Sequence, residues 1–237
     1  MKLPEAIILA GGFGTRLQRI VSDLPKAMAP VKGRPFLEYL LDYLQEQGIT
    51  DVILSVGHLR DALMNHFGSG YRGIRIRYSV EEEPLGTGGG IRLAMWKVND
   101  ARAFAMNGDS LFLTDLRGLM EQHMKTEADV TIALRQAQDT NRYGRVTAGR
   151  NNRITVFSEK EATGSGGYIN GGIYLVEKQF LLNPKFRGKF SIERDCFALM
   201  TKDSRIFGFP STGYFLDIGI PEDYQRAQYE FTQFDHR

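Results

Sequence analysis

The alternation of short apolar runs with longer amphipathic segments is the feature that most constrains how this chain can fold. The run "AIILA" is continuously apolar, as in a strand that is covered on both faces. The segment "FLEYLLDYLQEQG" instead carries its apolar residues at helical spacing, and Gly48 marks the expected end of that helix. This alternation continues through about residue 135 and predicts a mostly parallel α/β sheet with helices on both faces.

The other predicted elements follow from the same periodicities. Before residue 135 they are strands at "DVILSVG", "IRIRYSV" and "AFAMNGD", and helices at 59–67, "GGGIRLAMWKV" and 115–126. After it, "DVTIALR", "RVTAG", "RITVFSEK" and "YINGGIYLV" predict strands separated by turns, so antiparallel additions are expected. A helix over 192–200, a strand near "RIFGFP" and a helix from Pro221 complete the pattern. No linker or internal repeat is found, which predicts a single domain over 1–237.

Composition and charge limit the classes of function. With 237 residues, 42% of them hydrophobic, the chain can bury a substantial core. The formal net charge is +2 and no block of Lys or Arg stands out, so no nucleic-acid partner is expected. The single cysteine, Cys196, cannot form an internal disulfide, which fits a reducing compartment. The first apolar run is too short for a secretory signal or a membrane span, so a cytoplasmic protein without a membrane partner is expected.

A glycine-rich loop, "LAGGFGTRL", follows the first predicted strand. In an open α/β sheet this places Gly11, Gly12 and Gly14 at the carboxyl ends of the strands, where a bare backbone can approach a ligand closely. A P-loop would end in Gly-Lys-Ser/Thr, and a dinucleotide loop would need a third glycine where Leu17 stands. What remains is a set of free N–H groups with the forked side chain of Arg16, suited to phosphate oxygens. Without their context, the glycines would also fit a structural turn.

Motifs along the whole chain carry a resemblance to one family. The glycine loop, followed by "DLPKAMAPVKGRP" with Lys26, resembles the amino-terminal signature of the sugar-1-phosphate nucleotidyltransferases. The resemblance continues through "EEEPLGTGGGI", "NGDS", "FSEK", "INGGIY" and "FLDIGIPEDY". Within the family, "KGRPFLEYLLDYLQEQGI" and "FSIERD" are most similar to the D-glycero-D-manno-heptose 1-phosphate guanylyltransferases. The resemblance implies a Rossmann-like nucleotidyltransferase sheet with an antiparallel sugar-binding addition.

The reaction implied by the resemblance is attack of a sugar-1-phosphate oxygen on the α-phosphorus of a nucleoside triphosphate. For the subgroup named above, GMP would pass from GTP to D-glycero-α-D-manno-heptose 1-phosphate, giving GDP-heptose and pyrophosphate. The attacking phosphate has a second pKa of about 6 and is already ionised at neutral pH, so no general base is needed. Accordingly, no histidine lies in a family motif, and all four are interpreted as surface or packing residues: His58, His66, His123 and His236. Catalysis would rest on positioning and on neutralising anionic oxygens.

The charged residues of the motifs take their roles from the same resemblance. Arg16 and Lys26 would bind the triphosphate, and Lys160 in "FSEK" would contact the phosphate on the sugar. Asp109 and Asp217 each follow an apolar strand and match the positions that hold Mg²⁺ in the family. Mg²⁺ is a hard ion that takes few protein carboxylates together with phosphate oxygens. The alternative is structural, with Asp109 capping a helix and Asp217 a turn.

The remaining motif residues fall into two expected binding sites. The nucleotide site would comprise Leu9, Ala10, Gly11, Gly12, Gly14, Thr15, Arg16, Lys26, Glu81, Gly86, Thr87 and Asp109. The sugar-phosphate site would comprise Asn107, Gly108, Tyr143, Gly144, Glu159, Lys160, Asn170, Gly171 and Glu193. Outside the family match, Asn170 would be a structural turn residue and Glu193 an exposed helix residue. Periodicity places four aromatic residues in the core: Phe36, Trp96, Phe104 and Phe157.

The nucleobase is predicted from the residue five positions before Gly86. In the family this segment reads the base edge, and a glutamine there suits uracil or thymine because an amide both donates and accepts. Here the residue is Glu81, whose ionised carboxylate only accepts. Guanine presents adjacent N1–H and N2 amino donors that a carboxylate can pair, so GTP is predicted. Alternatively, Glu81 belongs to a solvated acidic run and Glu82 or backbone amides read the base.

Two further interpretations stay open. A catalytically silent, sugar-nucleotide-binding regulatory subunit would be expected to have lost the loop arginine, a lysine or a metal aspartate, all of which are present here. An enzyme with other substrates would join mannose 1-phosphate to GTP, or another sugar phosphate to UTP or CTP. A monomer or a small homo-oligomer is expected in either case.

Overall fold

The computed structural model describes residues 2–12, 23–139, 145–158, 165–200 and 203–234, which form fourteen strands and seven α-helices. The strands are β1 (Ala6–Leu9), β2 (Pro30–Val31), β3 (Arg34–Pro35), β4 (Asp51–Val56), β5 (Gly70–Tyr71), β6 (Ile74–Val80), β7 (Arg102–Asn107), β8 (Ser110–Phe112), β9 (Val130–Asp139), β10 (Arg145–Ala148), β11 (Ile154–Ser158), β12 (Ser165–Glu177), β13 (Ile206–Ser211) and β14 (Phe215–Asp217). The α-helices are α1 (Phe36–Glu46), α2 (Arg60–Phe67), α3 (Gly86–Met95), α4 (Leu116–Thr126), α5 (Lys178–Leu181), α6 (Ala198–Met200) and α7 (Pro221–Glu230). Short 3₁₀ turns lie at Lys26–Met28, Arg150–Asn152 and Phe231–Phe234, and a π-helical turn at Ile192–Phe197 runs into α6.

Parallel strands form one half of the main sheet, in the order β7-β1-β4-β6. Strand β1 is apolar throughout because both of its faces are covered. Ile8 packs into a core shared with α1, and Ile7 packs into a second core shared with α3. Both side chains are fully buried. The predicted parallel sheet with helices on both faces is confirmed.

Helix boundaries follow local chemistry. Helix α1 buries its four leucines, each of which contributes roughly 1.5–3 kcal/mol on burial. It ends two residues before Gly48, which has the left-handed φ of +85° that favours glycine. Helix α4 begins after Asp115, whose carboxylate accepts hydrogen bonds from the N–H groups of Arg117 and Gly118. This is an N-cap, and it satisfies donors that the first helical turn leaves free.

Strand β12 joins the parallel half to an antiparallel addition. It pairs antiparallel with β7, β9 and β10, while β10 continues to β11 and β9 pairs with β13. The ladder between β12 and β9 shifts register between Asn170 and Tyr174. An irregularity of this kind re-aims the side chains beside it. The expected antiparallel addition is confirmed.

A separate two-stranded sheet brings a distant segment to the end of β7. Strands β8 and β14 pair antiparallel, with Asp217 opposite Ser110. The Ile218 N–H donates to the carbonyl of Asp109 at 2.9 Å. Because β8 follows β7 after a two-residue turn, this pairing places Asp217 beside Asp109.

Some details differ from the sequence-based expectation. The placement of Trp96 in the core is wrong, because this residue follows the last turn of α3 and is 61% exposed. Phe36, Phe104 and Phe157 are buried as expected. The helix expected over 192–200 begins as a π-helical turn. Five short elements were not predicted, because two to four residues are too few to show a helical or strand periodicity. They are β2, β3, β5, β8 and α5. None of the described helices is long and apolar enough to cross a membrane.

Candidate active site

Two cavities open where the carboxyl ends of β1, β4, β6 and β7 meet. The first cleft has a volume of about 650 Å³ and the second cleft about 600 Å³. Gly86, Thr87 and Asn107 line both of them, so the clefts adjoin. Ligands of open parallel sheets bind at this edge, outside the strand ends.

The first cleft collects most residues of the expected nucleotide site. These are Leu9, Ala10, Gly11, Gly12, Lys26, Glu81, Gly86, Thr87 and Asp109. Gly108 was expected on the sugar side but lines this cleft. His58 and Arg60 line it as well, although no motif in the sequence singles them out. The expected residues Gly14, Thr15 and Arg16 lie outside the described residues.

His123 and His66 have the packing and surface roles that the sequence predicts for them. His123 is buried, with its ring nitrogens 2.8 Å from the Thr131 hydroxyl and 3.1 Å from the Glu177 carboxylate. His66 is exposed and lies 2.9 Å from the Glu38 carboxylate. His58 instead lines the first cleft, so a surface or packing role does not fully describe it. His236 is outside the described residues.

The glycine loop packs against the end of β4. A Cβ at Gly11 would lie 2.8 Å from the Gly57 nitrogen, closer than real Cβ atoms approach. The neighbouring Ala10 N–H donates to the Ser55 carbonyl at 2.8 Å. Glycine at position 11 therefore lets the loop backbone form the floor of the first cleft.

Three charged side chains meet between the clefts. Lys26 Nζ lies 2.5 Å from Asp109 Oδ2 and 3.9 Å from Asp217 Oδ1. Lys26 comes from a 3₁₀ turn, Asp109 from the turn after β7, and Asp217 from the end of β14. The Gly219 N–H donates to Asp217 Oδ1 at 2.5 Å. We call these three residues the Lys-Asp-Asp cluster. It unites a predicted phosphate-binding cation with both predicted metal ligands.

The electrostatics of the cluster fit a divalent cation. Burial raises the pKa of Asp217 to about 6, the charge of Asp109 adds to the rise, and Lys26 opposes it. Two hard carboxylates that repel each other are suitable ligands for Mg²⁺, which completes its shell with phosphate and water oxygens. Across the described ranges, no group of three or more His, Cys, Asp or Glu side chains is arranged to hold a metal.

The structural alternatives for the two aspartates have different outcomes. The turn containing Asp109 leads into strand β8, so its proposed role as a helix cap is wrong. Asp217 does accept a turn N–H from Gly219, but that bond occupies one acceptor position of four on the carboxylate. A metal role for Asp217 is compatible with this turn.

The second cleft contains four of the residues expected to contact the sugar. They are Asn107, Asn170, Gly171 and Glu193, and Asp217 of the cluster lines the same cleft. Of the other five expected sugar contacts, Gly108 lines the first cleft. Tyr143, Gly144, Glu159 and Lys160 lie outside the described residues.

Glu193 is the centre of a hydroxyl network. Its Oε2 accepts hydrogen bonds from the Thr87 hydroxyl at 2.6 Å and the Ser191 hydroxyl at 2.7 Å. Its Oε1 accepts from the Tyr174 hydroxyl at 3.3 Å, which in turn accepts from the Asn170 amide at 2.7 Å. Complete burial raises the pKa of Tyr174 well above its ordinary value, so it remains a hydroxyl donor. The alternative of Glu193 as a solvated helix residue is wrong.

Glu81 lies just beyond β6 and faces the first cleft. Its Oε1 accepts a hydrogen bond from the Ser55 hydroxyl at 2.9 Å, and its Oε2 accepts from the Leu85 N–H at 3.1 Å. Glu82 is exposed and lies 3.2 Å from Arg60, also in the first cleft. Recognition of the base by Glu81 therefore stays a prediction.

Comparison with known proteins decides the family. The family model described as nucleotidyl transferase matches residues 5–233. The chain belongs to the nucleotidyl transferase family. The family resemblance seen in the sequence motifs is confirmed.

Relatives within the nucleotidyl transferase family are similar over nearly the whole chain. The D-glycero-alpha-D-manno-heptose 1-phosphate guanylyltransferase of Aneurinibacillus thermoaerophilus is 45% identical over 230 residues, 97% of this chain and 99% of the relative. The enzyme of the same name from Campylobacter jejuni is 40% identical over 223 residues, 93% of this chain and 96% of the relative. The crystal structure of HddC from Yersinia pseudotuberculosis complexed with GMP-PN has a TM-score of 0.85 at 33% identity and covers 97% of this chain and 100% of that chain.

Some contacts and residues of this nucleotidyltransferase site could not be found from sequence patterns. Thr87 and Glu193 are both expected from their motifs, but the hydrogen bond that joins them across 106 positions is not. Tyr174 joins their network from inside a strand. Tyr174 ends the motif "INGGIY", but an apolar strand position is the ordinary setting for a core tyrosine, so its hydroxyl was not predicted to belong to the site. Ser55 is likewise a small polar residue within an apolar strand.

Proposed function

We propose that this nucleotidyltransferase transfers GMP from GTP to D-glycero-α-D-manno-heptose 1-phosphate, giving GDP-heptose and pyrophosphate. The observation that carries the proposal is the meeting of two clefts at the Lys-Asp-Asp cluster. A nucleotide in the first cleft and a phosphorylated sugar in the second would present their phosphates to the same charged groups. The relatives that carry this activity in their names support the choice of base and sugar.

The reaction needs positioning more than proton transfer. An oxygen of the sugar phosphate forms a bond to the α-phosphorus, and the bond from that phosphorus to the bridging oxygen breaks. Pyrophosphate leaves with the electron pair. Because the attacking phosphate is ionised at neutral pH, no protein base has to remove a proton. Adjoining clefts hold the two substrates so that the attack becomes effectively unimolecular.

Cationic side chains would balance the phosphate charge. Lys26 pairs with Asp109 and lines the first cleft, and we expect it to turn from its aspartate partners to triphosphate oxygens when the nucleotide binds. Arg16 is proposed for the triphosphate and Lys160 for the sugar phosphate, in line with their motifs. Donors of this kind stabilise charge that builds up as the pyrophosphate leaves.

Asp109 and Asp217 would hold Mg²⁺. The bound ion would neutralise phosphate oxygens and act as a Lewis acid toward the reacting phosphate. The chain's own contribution is a pair of oxygen ligands that are held close by the pairing of β8 with β14. Lys26 compensates their charge in the protein without metal.

Asn170 and Glu193 are proposed to bind hydroxyl groups of the sugar in the second cleft. The amide can donate and accept, while the carboxylate accepts from hydroxyl donors. Because Tyr174 links the two side chains, they are held in place before the sugar arrives. Such preorganisation lowers the ordering cost of binding.

The test is pyrophosphate release by the purified protein with Mg²⁺, measured for a panel of nucleotides crossed with sugar 1-phosphates. We expect the highest kcat/KM for GTP with D-glycero-α-D-manno-heptose 1-phosphate. Equal use of UTP or CTP would contradict the choice of base, and equal use of mannose 1-phosphate would contradict the choice of sugar. No pyrophosphate release with any pair, although nucleotide still binds, would favour the silent regulatory subunit.

A further inference from the structure

Within the part of the chain that the structure describes, the carboxylate of Glu81 keeps two free acceptor positions, and guanine presents two adjacent hydrogen-bond donors. An ionised carboxylate offers about four lone-pair positions. The Ser55 hydroxyl occupies one position on Oε1, and the Leu85 N–H occupies one on Oε2. Two positions remain, and the guanine edge presents N1–H and the N2 amino group. Paired in this way, the carboxylate would be fully satisfied when guanine binds.

Ser55 is the side-chain donor of this pair. It lies in β4, is fully buried, and aligns with Ser79 of β6 in the parallel ladder. Its backbone carbonyl accepts the Ala10 N–H of the glycine loop, a bond that does not involve the side chain. The hydroxyl can therefore be removed without cutting the contact that supports the loop.

We propose that Ser55 is a positioning residue for base selection, whose hydroxyl fixes the plane of the Glu81 carboxylate for two-point pairing with guanine. The inference rests on the proposed function, because it takes GTP as the nucleotide. The terminal torsion of a glutamate side chain is broad, so a carboxylate held at one oxygen only can rotate. A rotated carboxylate still pairs with one donor, but two simultaneous bonds need the fixed plane.

Gly90 of α3 supplies a second constraint on the same carboxylate. A Cβ at this position would lie 2.7 Å from Glu81 Oε1 and 3.2 Å from Ser55 Oγ. The three atoms nearest to that Cβ all belong to these two side chains. Gly90→Ala would thus displace the carboxylate while sparing the backbone, and alanine is the better helix former.

The experiment compares Ser55→Ala with the matched control Ser79→Ala. Ser79 is fully buried and lies opposite Ser55, and its hydroxyl has no hydrogen-bond partner among the residues that the structure describes. Both variants remove one buried hydroxyl from neighbouring strands. kcat/KM is measured with GTP and with inosine triphosphate, whose base keeps N1–H but lacks the N2 amino group.

We expect the wild-type enzyme to prefer GTP over inosine triphosphate. In Ser55→Ala, kcat/KM should fall about tenfold with GTP and less than about threefold with inosine triphosphate, because only the two-point contact is lost. The KM for the sugar phosphate should not change. Ser79→Ala should keep the wild-type preference. Gly90→Ala should reproduce the loss of preference, and it tests the proposal even if Ser55→Ala folds poorly.

Two results would overturn the proposal. One is the absence of a preference for GTP over inosine triphosphate in the wild type. The other is a GTP-to-inosine-triphosphate ratio that stays at its wild-type value in both Ser55→Ala and Gly90→Ala, whether the two activities are unchanged or fall equally, as a merely structural role would produce. A wild-type enzyme that used UTP as well as GTP would contradict the proposed function itself, so the two failures are distinguishable.

Discussion

Replacing Asp217 by Asn should stabilise the metal-free protein while it damages the active site. Burial first, and the charge of Asp109 second, raise the pKa of Asp217 from an ordinary value of 3.8 to about 6. At 1.36 kcal/mol for each tenfold change in the protonation equilibrium, ionised Asp217 costs the folded state about 3 kcal/mol. Asparagine has no charge to bury and can still accept the Gly219 N–H.

The pH dependence gives the sign of this effect. Below about pH 4 the aspartic acid is protonated in the folded and the unfolded protein, so the two proteins should be equally stable. Between about pH 4 and pH 6 the folded state holds a proton that the unfolded state has released, and the free energy of unfolding of the wild type falls. Above about pH 6 the advantage of Asp217→Asn should level off at about 3 kcal/mol.

The assay is urea unfolding followed by far-UV circular dichroism, with a chelator present, at about pH 4 and about pH 7.5. The matched control is Asp42→Asn, another buried aspartate, which lies 2.6 Å from Arg34 and 3.1 Å from both Tyr71 and Arg72. Breaking that buried ion pair should destabilise the protein by about 3 kcal/mol, the opposite sign. A variant Asp217→Asn that is no more stable than the wild type at about pH 7.5 would refute the reasoning, as would an advantage that persists unchanged at about pH 4.

Other changes test the remaining parts of the site and the fold. Asp109→Asn should lower kcat at least about a hundredfold and leave the circular dichroism spectrum native, because a metal ligand and phosphate compensation are lost; near-normal turnover with excess Mg²⁺ would count against this role. Glu193→Gln should raise the KM for the sugar phosphate about tenfold and leave the KM for GTP unchanged, whereas the reverse pattern would assign Glu193 to the nucleotide. Gly213→Ala should destabilise the fold by about 3 kcal/mol in urea unfolding, because its Cβ would overlap the Leu113 carbonyl oxygen. The control for that change is Gly149→Ala, whose Cβ would make only ordinary contacts, and equal stabilities of the two variants would contradict the prediction.

The longer elements and the residues of the local motifs could be predicted from the sequence. Apolar spacing marks β1 and α1 because each face of a helix or strand repeats over a few residues, and burial of that face is a local property of the pattern. Lys26 and Asp109 were predicted as site residues because each lies within a motif that resembles those of the family. Trp96 shows the limit of periodicity: it continues the helical pattern, but the helix ends before it and leaves it exposed.

Which of these residues touch was decided by the tertiary structure. Asp217 reaches Asp109 only because β14 pairs with β8, and Ser55 reaches Glu81 only because β4 and β6 are neighbours in register. The hydroxyl network of Glu193 forms across more than a hundred positions in the same way. Periodicity specifies which side of an element faces the core, but the partner on that side depends on strand order and packing. The sequence by itself therefore determined the kinds of residues at the site, and the sheet brought the two aspartates, their lysine and the carboxylate of Glu81 to one edge.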